Sequence, residues 1–320
     1  MDLTRRALGP LLLSPVLASA QPAWPSRAVR VIVPWAPGGG VDIVARLIST
    51  RLSETLGQPF TVENRTGGGG IVGFQEAARA APDGATLLAI DNSYTMLPHT
   101  TANLPWDVAH AFRPVALAAS GPFMLVVKAD SRFRTLRDLI DAAKQGNEAV
   151  SFGTGGSGSS PHFMTEAFQQ AAGVKMLHVP FRGGAQAMLA VVAGQVDCSM
   201  ATISAAGSSI AGGQLRALAI GAQARSPLMP AVPTFIEAGL AGVVGGIWAG
   251  FAFPAGTPEP ILAKLEGAVQ AILREEGTLR RLAEQGLEPG GQGREDFANL
   301  IAQDTQRWGR VAAAAHFERQ

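Results

Sequence analysis

The sequence of 320 residues is poor in cysteine, in aromatic residues and in charge. Cys198 is the single cysteine, which excludes an intramolecular disulfide and a cysteine-rich metal cluster. Charged residues make up 16% of the chain, and 26 Lys and Arg against 25 Asp and Glu leave a formal net charge of +1. An average soluble domain is about 25% charged. Because no basic excess is present, the composition argues against nucleic acid or an anionic membrane surface as a partner.

Residues for metal binding and nucleophilic catalysis are also scarce. The five histidines are scattered and lack the spacing and the acidic or cysteine partners of a zinc site, so each is expected to be a surface or structural residue. The Gly-x-Ser-x-Gly and Gly-x-x-x-x-Gly-Lys patterns do not occur. The sequence therefore predicts no metal, no cofactor and no catalytic group. The histidines are His99, His110, His162, His178 and His316.

Hydrophobic residues and glycine are abundant instead. Hydrophobic residues make up 47% of the chain, and glycine occurs 38 times. The length exceeds the roughly 250 to 300 residues that one hydrophobic core usually serves, which favours two lobes. If the glycines cluster at strand ends, such a number indicates that the backbone there lies close to other atoms, of the protein or of a ligand.

The N-terminus has the pattern of a secretory signal peptide over residues 1–20. Arg5 and Arg6 precede an apolar run over 7–20, which ends in small residues. The run is shorter than the roughly 20 apolar residues that span a bilayer. We expect a mature protein from about Gln21 in the periplasm, and the sequence leaves the Sec and Tat export routes open.

Strand and helix patterns alternate along the rest of the chain, which indicates an α/β protein. A first series ends near Gly121-Pro122, a second follows, and a strand near 248–253 precedes three amphipathic helices without strands between them. The chain is thus expected to cross between lobes near Gly121-Pro122 and again near Gly245-Gly246. The predicted lobes are 21–122 plus 248–320, and 123–247.

Two glycine-rich loops join a strand to a helix, one in each predicted lobe. Gly38, Gly39 and Gly40 precede a helix from Val41, and the loop 153–160 precedes a helix that starts at Pro161. Unsatisfied N–H groups at helix N-termini attract anions, so the loops are candidates for ligand binding. Each loop is also compatible with a tight turn that has no ligand. In this interpretation Trp35 forms an apolar wall, and Ser159 or Ser160 is the N-cap.

Other polar residues follow predicted strands, at Asn92-Ser93-Tyr94 and Thr202-Ile203-Ser204. Asn and Ser at such positions are commonly turn formers. Arg182 lies beside Gly183-Gly184 at another junction between strand and helix, where a guanidinium could bind a carboxylate with two hydrogen bonds. A solvated arginine or a salt bridge between the lobes is the alternative.

A Gly-x-Gly-x-x-Gly pattern at Gly68, Gly70 and Gly73, with Asp91 18 residues after Gly73, offers a different function. It would make the protein an exported enzyme or a dinucleotide-binding oxidoreductase. Four residues, 64–67, separate the preceding strand from the motif, whereas the fingerprint begins at the end of the strand.

Several motifs resemble, in order, the Bug family, the extracytoplasmic solute receptors of tripartite tricarboxylate transporters. The resemblance extends from about Val29 to the last helix. It is carried by residues 31–46 (Val-Ile-Val-Pro-Trp-Ala-Pro-Gly-Gly-Gly-Val-Asp-Ile-Val-Ala-Arg), Gly57-Gln58-Pro59, Val62-Glu63-Asn64-Arg65, Ala80-Ala81-Pro82-Asp83-Gly84, His178-Val179-Pro180-Phe181-Arg182-Gly183, Gly194-Gln195-Val196-Asp197, Leu215-Arg216-Ala217-Leu218-Ala219 and Pro254-Ala255-Gly256-Thr257-Pro258.

The resemblance implies a type II periplasmic-binding-protein fold, with two α/β lobes, a hinge and a cleft between the lobes. It implies a receptor, not an enzyme, that closes on a small carboxylic acid. A monomer is expected to deliver the acid to the large and small integral membrane subunits of a tripartite transporter. Signalling through a sensor kinase is a variant of this function.

The resemblance also assigns ligand contacts to positions in this chain. Many relatives have Asp-Asn where this chain has Ala201-Thr202, so ligands recognised through an ammonium group are expected to be disfavoured. The expected contacts are Trp35, Ala36, Gly38, Gly39, Gly40, Asp42, Asn92, Ser93, Tyr94, Ser157, Ser159, Ser160, His162, Arg182, Gly183, Gly184 and Thr202.

Overall fold

Strands and helices alternate through most of the chain, as the hydrophobic pattern predicts. The structure, a computed structural model, describes residues 24–146, 149–181, 183–317 and 319, so the predicted signal peptide lies outside it. The strands are β1 (Val29–Val33), β2 (Phe60–Asn64), β3 (Thr86–Asp91), β4 (Phe112–Lys128), β5 (Ser151–Thr154), β6 (Leu177–Pro180), β7 (Cys198–Thr202), β8 (Leu215–Ile220), β9 (Gly246–Pro254) and β10 (Glu288–Pro289). The helices are α1 (Gly40–Leu56), α2 (Ile71–Ala78), α3 (Ser93–Thr100), α4 (Leu136–Ala143), α5 (Ser160–Ala172), α6 (Gly184–Ala193), α7 (Ile203–Ala211), α8 (Glu259–Ile272), α9 (Glu276–Glu284) and α10 (Arg294–Ala314).

The strands form one sheet in the order β2-β1-β3-β9-β4-β7-β5-β6, and β8 and β10 pair separately with β4. Strand β4 runs through both parts of this sheet. Its residues 112–122 pair with β9, and its residues 123–128 pair with β7 and β8. We call β1, β2, β3, β9, β10 and the first part of β4 the first sheet half. The second sheet half contains β5 to β8 and the end of β4.

The two sheet halves meet where β4 and β9 lie side by side. Pro122 is opposite Gly246, and Phe123 N–H donates to Gly245 O. A Cβ atom on Gly246 would overlap the carbonyl oxygen of Gly121, so a side chain at this position would push the two strands apart. Glycine at 246 therefore allows the close approach of the two strands at this junction.

Each sheet half is covered by helices on both faces, because successive side chains of a strand point to opposite faces. In the first half Val31 packs in a cluster with α1 and α8, while Ile32 packs in a cluster with α2 and α10. In the second half Leu125 packs with α4 and α5, while Val126 packs with α6 and α7. Four buried clusters thus form two layered α/β units.

The C-terminal helix α10 packs against both units. Phe297 near its start is buried in a cluster of the first sheet half, whereas Trp308 and Val311 are buried with α5 in the second. The sequence-based prediction places 248–320 in lobe 1. The end of α10 also contacts the second sheet half, because its length carries its last turns past the first.

Three features differ from the sequence-based prediction. The first series of elements was expected to end near Gly121-Pro122, but β4 continues through this point, with irregular register between Pro114 and Ala119. Helices α3 and α7 were not predicted; α3 contains Pro98, and α7 is rich in Ser, Ala and Gly. Strand β10 lies between α9 and α10, where no strand was expected. It was missed because two residues carry no periodic signal.

Candidate functional site

The first glycine-rich loop leads from β1 into α1. Gly39 is the N-cap residue, and in the described part of the chain no side chain caps this helix. Gly38 has a φ of 84°, a left-handed conformation that glycine adopts without strain. The N–H groups of the first turn of α1 are thus available to an anion.

Asp42 holds this loop in place. Its Oδ2 accepts hydrogen bonds from Gly38 N–H and Arg46 Nε, both at 2.9 Å, and its Oδ1 accepts one from Asn64 Nδ2 at 2.8 Å. Asn64 Nδ2 also donates to Trp35 O at 2.8 Å. Burial would raise the pKa of Asp42, but the hydrogen bonds from Arg46, Gly38 and Asn64 together lower it. Both carboxylate oxygens are therefore engaged within the first sheet half, so Asp42 is placed to support the loop.

Asn92 connects the first sheet half with the second. It follows β3, is 1% exposed, and donates from Nδ2 to Gly246 O at 2.8 Å. Its Oδ1 accepts a hydrogen bond from Ser160 Oγ at 3.2 Å, at the start of α5. This amide thus joins the end of β3, the strand junction and the N-terminus of α5.

The second glycine-rich loop, residues 155–160, leads from β5 into α5. Gly156 and Gly158 have φ values of 127° and 77°, which favour glycine. Ser159 is the N-cap residue by position, but its Oγ donates to Gly156 O at 2.7 Å, and among the described residues no side chain caps the helix. Gly158 N–H donates to His162 Nδ1 at 3.0 Å. The loop is thus closed by its own hydrogen bonds and by the first turn of α5.

Helix α6 begins against this same loop. A Cβ atom on Gly155 would lie 2.8 Å from Gly184 N, so the loop and the start of α6 are in direct backbone contact. Across the junction, a Cβ atom on Gly40 would lie 3.3 Å from Ile247 Cδ1, next to Gly246. The N-termini of α1 and α5 are thereby linked through Ile247, Gly246 and Asn92, and the N-terminus of α6 contacts the loop before α5.

Three residues predicted as ligand contacts, Ser93, Tyr94 and Thr202, use their side-chain hydroxyl groups in hydrogen bonds within the protein. Ser93 Oγ donates to Asp91 Oδ1 at 2.6 Å, and Tyr94 OH donates to Val108 O at 2.5 Å from within the core of the first sheet half. Helix α3, which was not predicted, turns both side chains inward, where they are 3% exposed. Thr202 Oγ1 accepts from Ala205 N–H at 3.2 Å and so caps α7.

The remaining predicted residues fall into three groups. Ala36 and Ser157 are exposed, and Trp35 is partly buried. His162 is 7% exposed, and its ring stacks against other rings, which leaves neither face free. Arg182 lies outside the described residues, so its assignment to the site stays a prediction.

The sequence did not assign Ile247 or Asn64 to the site, although Asn64 belongs to one of the motifs quoted above.

Packing accounts for the Gly68, Gly70 and Gly73 pattern. These glycines follow β2, an edge strand, and a Cβ atom on Gly73 would lie 2.8 Å from Pro34 Cα and 2.9 Å from Arg65 O. Asp91 is 4% exposed, and burial raises its pKa to about 6. The pattern therefore lacks the strand-end position that a dinucleotide site needs, and the oxidoreductase alternative is not favoured.

Other kinds of site find little support in the described residues. They contain no cluster of three His, Cys, Asp or Glu residues that could hold a metal ion. No helix in the described ranges is long and apolar enough to cross a membrane. Cys198 is buried, and burial raises the pKa of its thiol.

The structure has two layered α/β units that are joined by paired crossing strands, and helix N-termini meet at the junction. This arrangement defines a solute-binding receptor of the periplasmic-binding-protein class. The family model described as tripartite tricarboxylate transporter family receptor matches residues 44–316. The chain belongs to this receptor family, and the resemblance to Bug proteins is confirmed.

Solved structures agree with this assignment. The periplasmic binding protein BugD is 30% identical, with a TM-score of 0.84 over 93% of this chain and 100% of that one. A Rhodopseudomonas palustris protein solved with adipate is 31% identical, with a TM-score of 0.87 over 93% and 100%. MatC from the same organism, solved with bound malate, is 33% identical, with a TM-score of 0.83 over 90% and 100%.

Proposed function

We propose that this receptor captures a small mono- or dicarboxylic acid between its two sheet halves. The observation that carries the proposal is the meeting of three helix N-termini. Those of α1 and α5 are linked through Asn92 and the strand junction, and that of α6 contacts the loop before α5. Each N-terminus presents backbone N–H groups and the positive end of a helix dipole, and both attract a carboxylate.

Backbone N–H groups supply most of the polar contacts in this proposal. Asp42, the acidic residue in the first turn of α1, is paired with Arg46 at 2.9 Å, so its charge opposes an anion less than a free carboxylate would. Two relatives with the same fold were solved with adipate and malate, both dicarboxylates. We therefore expect an acid of this size, recognised without an ammonium group.

Closure of the two sheet halves would follow from movement at the strand junction, where Pro122 pairs with Gly246. We propose units of about 21–122 plus 248–320 and 123–247, with α10 as a helix shared between them. Ser160 and Asn92 would approach or separate as the cleft closes or opens, because each belongs to a different unit.

Delivery, not turnover, is the proposed outcome of binding. Signal-directed export by residues 1–20 would bring the chain to the periplasm, where a monomer would pass the acid to the large and small membrane subunits of a tripartite transporter. A sensor kinase is an alternative recipient. No catalysis is proposed, and the proposed mechanism uses no metal or cofactor.

A calorimetric titration tests the proposal, with malate and adipate as probes and glucose as the control. We expect saturable binding of at least one acid and none of glucose. Thermal unfolding provides a second measure, because a ligand at one hundred times its Kd stabilises the folded state by about 2.7 kcal/mol. Binding of sugars but not acids would contradict the ligand class, and a chemically altered acid recovered after incubation would contradict the absence of turnover.

Arg182 is proposed, from sequence alone, to hold a carboxylate of the acid. A hydrogen bond to a charged group contributes roughly 1.5 to 3 kcal/mol, so Arg182→Ala is expected to raise Kd about ten- to a hundredfold. Arg182→Lys is expected to restore part of the affinity. An unchanged Kd in Arg182→Ala would remove this residue from the site.

A further inference from the structure

Four aromatic rings stack beneath the loop at 155–160 in the second sheet half. The ring of Phe152 on β5 lies 4.8 Å from that of His178 on β6, and His178 lies 3.9 Å from His162 on α5. Phe317, which follows α10, covers the other face of His162 at 4.5 Å. The stack therefore fixes the plane of the His162 ring from both sides.

The polar atoms of the two imidazoles connect this stack to the loop backbone. His162 Nδ1 accepts the Gly158 N–H at 3.0 Å, and its Nε2 lies 3.6 Å from Glu166 Oε1. An Nδ1 atom that accepts a hydrogen bond carries no proton, so this ring is neutral with its proton on Nε2. His178 Nε2 lies 2.6 Å from Thr154 Oγ1, and Thr154 Oγ1 in turn donates to Gly156 O at 3.1 Å.

We propose that His162 is the positioning residue of the loop at 155–160. Its neutral ring accepts the Gly158 N–H and so sets the direction of the loop N–H groups that bind the ligand carboxylate. This inference rests on the proposed function. Ligand affinity thus depends on the hydrogen-bond acceptor that this side chain offers to the loop backbone.

One carboxylate and one further imidazole lie beside the His162 ring. Glu166 faces Nε2 from the same helix, and His178 faces one side of the ring from β6. Burial lowers the pKa of His178 to about 4, so His178 is neutral in mild acid. Phe317 on the other side, Phe152 and Thr154 carry no charge.

Two substitutions separate hydrogen bonding from packing. His162→Phe keeps a ring of similar size in the stack but removes the acceptor for Gly158. His162→Asn loses the ring but offers an oxygen close to the position of Nδ1. With malate and adipate as probes, we expect Kd to rise about tenfold in His162→Phe and to stay within about threefold of wild type in His162→Asn.

The order of affinities is the decisive result, because a purely structural role predicts the opposite one. If the ring matters only through packing, His162→Asn would bind more weakly than His162→Phe, and that outcome would overturn the proposal. A Kd for His162→Phe within twofold of wild type would overturn it as well.

Amide hydrogen exchange of the ligand-free protein keeps this test independent of the ligand. The peptide that contains Gly158 is expected to exchange faster in His162→Phe than in wild type and to be protected in His162→Asn. Equal exchange in all three proteins would overturn the positioning role. If exchange responds as expected but wild type binds neither acid, the proposed function fails and the loop assignment stands.

Discussion

The two glycine-rich loops have similar local structure but are held by different chemistry. The loop before α1 is fixed by an ion pair, because Asp42 accepts from Arg46, Gly38 N–H and Asn64. The loop before α5 is fixed by the neutral side chains of His162 and Thr154. In one loop a buried carboxylate supplies the acceptor, and in the other an imidazole does.

The two loops are expected to lose their support at different pH values. The pKa of Asp42 is lowered, so its contribution to stability is present above its unfolded-state pKa of about 3.9 and is lost as the pH falls below that value. In the second sheet half, burial lowers the pKa of His178 to about 4, so the unfolded chain protonates this ring already below its usual pKa of about 6.5. We therefore expect His178 to reduce stability in milder acid than Asp42 does.

Asp42→Ala is the substitution with the largest expected effect. It leaves Gly38 N–H and Asn64 Nδ2 without their acceptor at a position that is 2% exposed. The free energy of unfolding is expected to fall by about 3 kcal/mol. Urea denaturation measures this change, with Asp42→Asn, which keeps one acceptor oxygen, as a milder control. A loss below about 1 kcal/mol would show that the carboxylate does not hold the loop.

Phe317→Ala tests the second loop by removing the ring that covers His162. The ring also packs edge-on against Phe163 at 4.9 Å, and the residue is partly buried. Removal of a fully buried phenylalanine costs about 3 to 5 kcal/mol, so we expect a loss of about 2 kcal/mol here. Urea denaturation and hydrogen exchange at 155–160 are the measurements. Unchanged exchange at the loop would show that Phe317 does not stabilise the loop.

His178 is expected to make the stability of the protein sensitive to mild acid. Its pKa is lowered from 6.5 to about 4, mainly by burial. Between pH 7 and pH 5 the folded protein keeps this ring neutral while the unfolded chain protonates it, so stability falls with pH. Allowing for partial exposure, the expected loss is about 1 kcal/mol. His178→Phe should remove this part of the pH dependence. Identical pH dependence in the two proteins would refute the assignment.

Arg46→Ala has the smallest expected effect. Although Arg46 pairs with Asp42 at 2.9 Å, its side chain is 50% exposed, and such exposed ion pairs contribute about 0.2 to 1 kcal/mol. Urea denaturation should give a loss of about 0.5 kcal/mol. A loss equal to that of Asp42→Ala would mean that the arginine, not the loop N–H group, is the essential partner of this carboxylate.

The sequence predicts both loops, because a β-rich run, a glycine cluster and a periodic helix occur together within a few residues. Inward-facing residues are harder to predict. Tyr94 lies in α3, which the sequence does not signal, and its side chain points into a cluster with Phe74 and Trp106. Similarly, Phe317 reaches His162 only because α10 extends across the junction, a tertiary contact that no local pattern encodes.

N–H groups from both sheet halves are proposed to bind one carboxylate. Backbone amide NMR spectra of the ¹⁵N-labelled protein, recorded during titration with malate and with adipate, test this binding. We expect the N–H signals of Gly40 in α1, Ser160 in α5 and Gly184 in α6 to shift together with a single Kd for at least one of the acids. Shifts confined to one sheet half, or none in the folded protein, would contradict it.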